Sequence, residues 1–264
     1  HVFYLVSDGT SGDKTIGGEG SAMANLAQGL NQSGSSLVLP TLTNVTAQGI
    51  RYDLIDNILI DPKLRDRHIA DIVDLVTINA YPGIDIDYRK VDGALKSEFT
   101  VFIQALAEKL HASGRLLSLR VSPPAQVAAD RWDTGPFDWR ALGQAVDSFK
   151  VPAYDDPAAY KDGGPMEALL RYAVSQAPRS KVQLQLSAMS QDRFPNGMRE
   201  ITYAQALDRL LTISVKEGER AMKPGATVTL DLPNLREYGL SLNPNARAYR
   251  YTFTDIAGTS HTVW

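Results

Sequence analysis

The segment Gly83-Ile84-Asp85-Ile86-Asp87-Tyr88-Arg89 decides how this 264-residue chain is read. On a strand, residues two apart share a face. Ile84 and Ile86 are therefore expected to bury toward a helical layer, while Asp85 and Asp87 project together to the other side. Two carboxylates so placed repel each other, and burial penalises both ionised forms. Such a pair is costly unless it holds a proton, a cation or a hydrogen-bond network. Arg89, two residues beyond Asp87, is placed to supply a cation from the same strand face. The plain alternative is that both aspartates line the solvated end of an edge strand, since most acidic side chains stay exposed.

Working outward, strands alternate with helices. Leu37–Thr43 reads as a strand. Pro62 to Asn79 places Leu64, Ile69, Ile72, Val73 and Val76 at helical intervals. Ser97–Ala112 carries a stripe of Phe99, Phe102, Ile103, Leu106 and Leu110, with Gly114 just past its end. Leu116–Val121 reads as a strand closed by Pro123-Pro124, which cannot continue a ladder. Trp139–Phe149 is expected as helix, Phe149–Tyr154 as strand, Met166–Ala177 as helix, Val182–Ser187 as strand and Tyr203–Lys216 as helix. Upstream, Val2–Val6 reads as a strand, Ser11–Ser21 as a loop and Ala22–Leu30 as a helix. Beyond Pro224 the texture turns to short strands at Thr227–Leu232, Ala248–Phe253 and Ser260–Val263. About six βα units imply right-handed crossovers and a parallel sheet. A barrel and a doubly wound sheet both fit this pattern.

Composition narrows the function classes. Hydrophobic residues make up 44% and charged residues 22%, and the 27 basic and 30 acidic side chains give a net charge of −3. This excludes disordered, collagen-like and coiled-coil chains. It also argues against a nucleic-acid partner, which needs a basic face. No run reaches the roughly 18–20 apolar residues of a membrane span. With no cysteine, disulfides, thiolate catalysis and cysteine zinc sites are excluded. His1, His68, His111 and His261 lack metal-ligand spacing. Gly17-Gly18-Glu19-Gly20 lacks the spacing of a phosphate loop and reads as a flexible loop. The start at His1, without a signal peptide, reads as a processed or excised fragment of a larger parent protein.

The run from Leu37 to Pro123 resembles the glycoside hydrolase family 18 proteins, which include chitinases and spore-cortex-type lysins. Their signature is D-G-x-D-x-D-x-E at the end of the fourth barrel strand, and Pro82 to Arg89 aligns with it, keeping Gly83, Asp85 and Asp87. Leu39-Pro40-Thr41-Leu42-Thr43-Asn44, Ile60-Asp61-Pro62-Lys63-Leu64-Arg65 and Ala153-Tyr154-Asp155 resemble further elements of the family. The resemblance implies a (β/α)8 TIM-type barrel, a single domain over residues 1–264 with its first and last strands outside the chain, and a β-rich insertion near 224–264. It also implies a site at the C-terminal ends of the strands, where barrels carry their chemistry.

The family's mechanism is substrate-assisted: a Glu protonates the glycosidic oxygen, the substrate's acetamido oxygen attacks, and the preceding Asp orients that acetamido group. Here Arg89 occupies the acid position and Pro82 replaces the first Asp. A guanidinium, with a pKa above about 12, cannot act as a general acid. The expectation is a non-hydrolytic relative binding N-acetylglucosamine-containing glycan outside the cell or at its surface. Asp85, Asp87, Tyr88, Tyr154 and Asp155 are its candidate binding residues, with Arg89 completing a vestigial motif and no cofactor implied. Tyr81, Trp132 and Trp139 are further stacking candidates, with ordinary packing favoured for Trp139. Two competitors remain: an active hydrolase using Asp92 or Glu98 as a relocated acid, and a structural surface scaffold. Asp85, Asp87 and Asp92 as Mg²⁺ or Ca²⁺ ligands are disfavoured by Arg89 among them.

Overall fold

The computed structural model describes residues 37–46, 49–212, 229–244 and 247–264, the backbone of 2–5, 16–17 and 214–217, and positions 29, 31, 225 and 227. The expected loop at Ser11–Ser21 and helix at Ala22–Leu30 lie outside these residues except at Ile16–Gly17 and Gly29, as does most of the glycine-rich run at 17–20. The chain divides into two compact units, His1–Ala153 with Leu170–Gln185, and Tyr154–Leu169 with Leu186–Trp264.

The first unit is built on parallel strands β1 (Val2–Leu5), β2 (Thr41–Thr43), β3 (Gly83–Asp87), β4 (Leu116–Arg120), β5 (Ser148–Pro152) and β6 (Val182–Gln185), hydrogen-bonded in that order. Ile16–Gly17 adds an antiparallel strand outside β1. Among the described residues no ladder joins β6 to the opposite edge, so the sheet is open and the eight-stranded closure implied by the resemblance is not formed by them.

Helices α1 (Tyr52–Ile60), α2 (Pro62–Ile78), α3 (Lys96–Ala112) and α4 (Trp139–Ala145) follow the strands. Asp61 starts α2 by accepting the N–H groups of Lys63 and Leu64 at 2.8 and 3.3 Å, with Pro62 supplying the preset φ of the first helical residue. The predicted stripe of α3 is wholly buried, each such side chain contributing about 1.5–3 kcal/mol. Ile84, Ile86, Leu117, Leu119, Phe149 and Val151 are the buried outward-pointing residues of β3, β4 and β5. Gly83 is required by contact: a Cβ there would lie 2.2 Å from the Leu116 carbonyl oxygen.

The second unit centres on an antiparallel sheet of β7 (Ser190–Phe194), β8 (Gly197–Ile201), β11 (Ser241–Asn243), β12 (Ala248–Thr254) and β13 (Ser260–Val263), in the order β8-β7-β13-β12-β11; β9 (Ser214–Glu217) and β10 (Thr229–Asp231) form a separate hairpin. The sheet thus begins at Ser190, upstream of the β-rich stretch expected at 224–264. Between α5 (Pro165–Gln176) and α7 (Pro233–Glu237), α6 spans Tyr203–Leu210 under a capping box of Thr202 and Gln205. The helix expected through Lys216 therefore ends early. Asn234 Nδ2 donates to the carbonyl oxygen of Arg209 at 2.7 Å, in place of a further helical N–H, and Ser214–Glu217 is a strand. Ile201, Ala206, Leu210, Tyr251 and Val263 form this unit's core. No helix among the described residues is long and apolar enough to cross a membrane.

Candidate functional site

The inner face of the parallel sheet is polar on strand after strand, unlike the apolar layers that fill most barrels. Thr41, Asp85, Ser118 and Ser148 stand in one register row across β2, β3, β4 and β5. Thr43 and Asp87 form the next row toward the C-terminal ends. The Thr41 hydroxyl donates to Asp85 Oδ2 at 3.2 Å, and the Thr43 hydroxyl to the Asp87 carbonyl at 3.0 Å.

Both carboxylates meet cations. Arg89 places Nε 3.2 Å from each Asp87 oxygen and Nη2 2.8 Å from Oδ2. Arg120 of β4 adds Nη1 at 3.2 Å from Oδ1, and its Nε donates to Gln185 at 2.7 Å. Lys150 of β5 brings Nζ to 2.9 Å from Asp85 Oδ1. That ionic contact lies off the hydrogen-bonding direction, so Oδ1 has no hydrogen-bond donor of its own. The side chains of Asp87 and Asp85 are only 11% and 9% exposed, while Arg89 is 41% exposed. The costly acid pair anticipated from sequence thus meets cations from three different segments.

Asn44 fixes where Arg89 starts. Fully buried, it donates Nδ2 to the Arg89 carbonyl and accepts the Arg89 N–H on Oδ1, both at 2.8 Å. Lys90, next in sequence, takes a positive φ of 57°, an uncommon conformation for a non-glycine residue.

Tyr88 does not join the cleft, which corrects the expectation. It alternates to the same side as Ile84 and Ile86, is buried against Phe102, and shares a 2.6 Å hydrogen bond with His68 Nε2. Burial lowers the His68 pKa to about 3 and raises that of the Tyr88 phenol. Tyr81 and Trp139 are likewise buried, and Trp132 stacks on Tyr172 at 5.1 Å. Tyr154 and Asp155 belong to the second unit, where the Tyr154 carbonyl accepts the Tyr160 hydroxyl at 2.9 Å and burial raises the Tyr154 phenol pKa. Asp92 is occupied as the cap of a short 3-10 turn, accepting the Ala94 N–H at 2.9 Å. Glu98 is half-buried, with Oε2 enclosed and without a hydrogen-bond partner. Among the described residues no three His, Asp or Glu side chains come together as a metal site.

Residues 51–190 match the family described as Glycosyl hydrolases family 18. The chain belongs to this family. It is 27% identical over 233 residues to the sporulation-specific glycosylase YdhD of Bacillus subtilis, covering 86% of this chain and 50% of that protein. It is 24% identical over 273 aligned residues to the cortical fragment-lytic enzyme of Bacillus anthracis, covering 99% of this chain and 56% of that enzyme. The chain therefore spans about half the length of the curated relatives it matches. The crystal structure of a chitinase from Chromobacterium violaceum shares the fold with a TM-score of 0.70 at 21% identity, covering 99% of this chain and 76% of that one.

Proposed function

We propose that this family 18 chain binds N-acetylglucosamine-containing glycan, of the chitin or peptidoglycan type, without hydrolysing it. The observation that carries the reading is Arg89 clamped on Asp87 at 2.8 Å; the motif resemblance puts the family's acid at this position. A guanidinium holds its protons too tightly to release one at ordinary pH, and loss of a general acid costs on the order of 10²–10⁴ in rate. A fixed cation also opposes an oxocarbenium-like transition state. Asp87, which in the family's scheme orients the substrate's acetamido group, already accepts from Arg89 and Arg120. Asp92, occupied as a cap, is poorly placed to substitute as the acid.

The relatives named as a chitinase and a cortical fragment-lytic enzyme support the glycan class. They also support a setting outside the cell or at its surface, with this chain as part of a larger parent. Calorimetric titration with chitotetraose, paired with a reducing-end assay of the same samples, tests the reading. Binding without new reducing ends is the expected result. Cleavage would restore the hydrolase, and neither binding nor cleavage would leave a structural scaffold.

A further inference from the structure

Arg120 and Lys150 are Cα partners on the neighbouring strands β4 and β5. Both side chains turn to the inner face, because one reaches Asp87 and the other Asp85. Like charges directly opposite each other across a strand pair repel. The two aspartates offset that repulsion only in part, since Asp87 is also gripped through both oxygens by Arg89. Among the described residues, three cations thus converge on two carboxylates.

Donors are in surplus as well. Arg120 spends Nε on Gln185 and Nη1 on Asp87, leaving Nη2 without a hydrogen bond among the described residues. The Lys150 ammonium carries three donors and meets the described residues as an ion pair at Asp85 Oδ1 alone. Both cations stay partly open to solvent, Lys150 at 29% and Arg120 at 18%, and the buried hydroxyls of Ser118 and Ser148 have no hydrogen-bond partner among the described residues. A neutral amino-sugar polymer offers only hydroxyl and amide groups to such a surface. A carboxylate offers a planar anion that matches a guanidinium and adds charge-assisted bonds.

We propose that Arg120 and Lys150 together receive the carboxylate of an acidic glycan, so that the cleft selects carboxylate-bearing amino-sugar polymers over neutral ones. This rests on the glycan-binding reading above and narrows its ligand.

The test compares chitotetraose with a hyaluronan tetrasaccharide, in which glucuronate alternates with N-acetylglucosamine, by calorimetric titration at low and high salt. The acidic tetrasaccharide is expected to bind about tenfold tighter or more at low salt, with the preference shrinking as salt screens it. Arg120→Gln and Lys150→Gln should each bring the preference toward unity, and Lys150→Arg should retain most of it. Equal or tighter binding of chitotetraose to the unmodified chain overturns the inference and leaves the glycan-binding reading standing. Survival of the full preference in both glutamine variants also overturns it. Binding of neither oligosaccharide overturns both. The comparison on the unmodified chain decides the matter even where a variant fails to fold.

Discussion

Two acidic clusters, one in each unit, use the same kinds of side chain to opposite ends. In the second unit Asp192 of β7 is 0% exposed, and both of its oxygens are satisfied. His261 Nδ1 lies 2.7 Å from Oδ1, while Arg199 donates Nε and Nη2 to Oδ2 at 3.1 and 2.8 Å. The other ring nitrogen of His261 faces Asp255 at 3.4 Å, and its ring stacks on Phe253 at 4.6 Å. Donors and acceptors match, and the cluster ties β7, β8 and β13 together. In the first unit Asp85 stands mid-strand and Asp87 at the C-terminal end of β3, Asp85 Oδ1 lacks an aligned donor, and Arg120 and Lys150 keep donors to spare among the described residues. A closed set of bonds is a fastener, whereas an unbalanced set on a polar strand face has the makings of a site.

The comparison is broken most severely at Asp192. Asp192→Ala strands His261 and Arg199 and should cost about 3–5 kcal/mol, as removal of one partner of a buried ion pair does, read as a fall in thermal or denaturant midpoint. Buried His68 sharpens it next. Burial holds the folded pKa of His68 at about 3, below the unfolded value of 6.5, with the charge of Asp71 opposing more weakly. Between those values the unfolded chain binds more protons, so stability should fall as pH drops below about 6.5, by up to about 1.4 kcal/mol per pH unit. Denaturant melts of the chain and of His68→Gln across that window check this, the variant giving the flatter profile. The smallest effect belongs to Asp87→Ala, at about 1 kcal/mol, because the arginines it releases are partly exposed and can turn to water. A loss as large as that of Asp192→Ala would make the first cluster a fastener too.

Much of the first unit was legible from periodicity. The α3 stripe and the outward isoleucines of β3 follow from spacings of 3.6 and 2. The same alternation puts Tyr88 with Ile84 and Ile86 on the buried side, so its placement among the binding residues ran against a signal already present. Leu117-Ser118-Leu119-Arg120 and Phe149-Lys150-Val151 alternate as clearly, and they mark Arg120 and Lys150 as inward-facing. What the sequence could not supply was the register that sets them beside Asp87 and Asp85, because pairings between strands far apart in the chain are not local properties. Helix α1 was missed because Tyr52–Ile60 is apolar through most of its length and is separated from α2 only by Asp61. The β7–β8 hairpin hid behind the polar run Ser190-Gln191-Asp192-Arg193, although Asn196-Gly197 is a strong turn signal.

The central claim is that cations have taken over a carboxylate site, leaving no proton donor at position 89. Turnover of a fluorogenic chitooligosaccharide by the unmodified chain and by Arg89→Glu tests it most directly. The account predicts no release of fluorophore by the unmodified chain, and none above background from Arg89→Glu, because Arg120 and Lys150 still hold Asp87 and Asp85. Steady release by the unmodified chain that disappears in Asp87→Asn would contradict it.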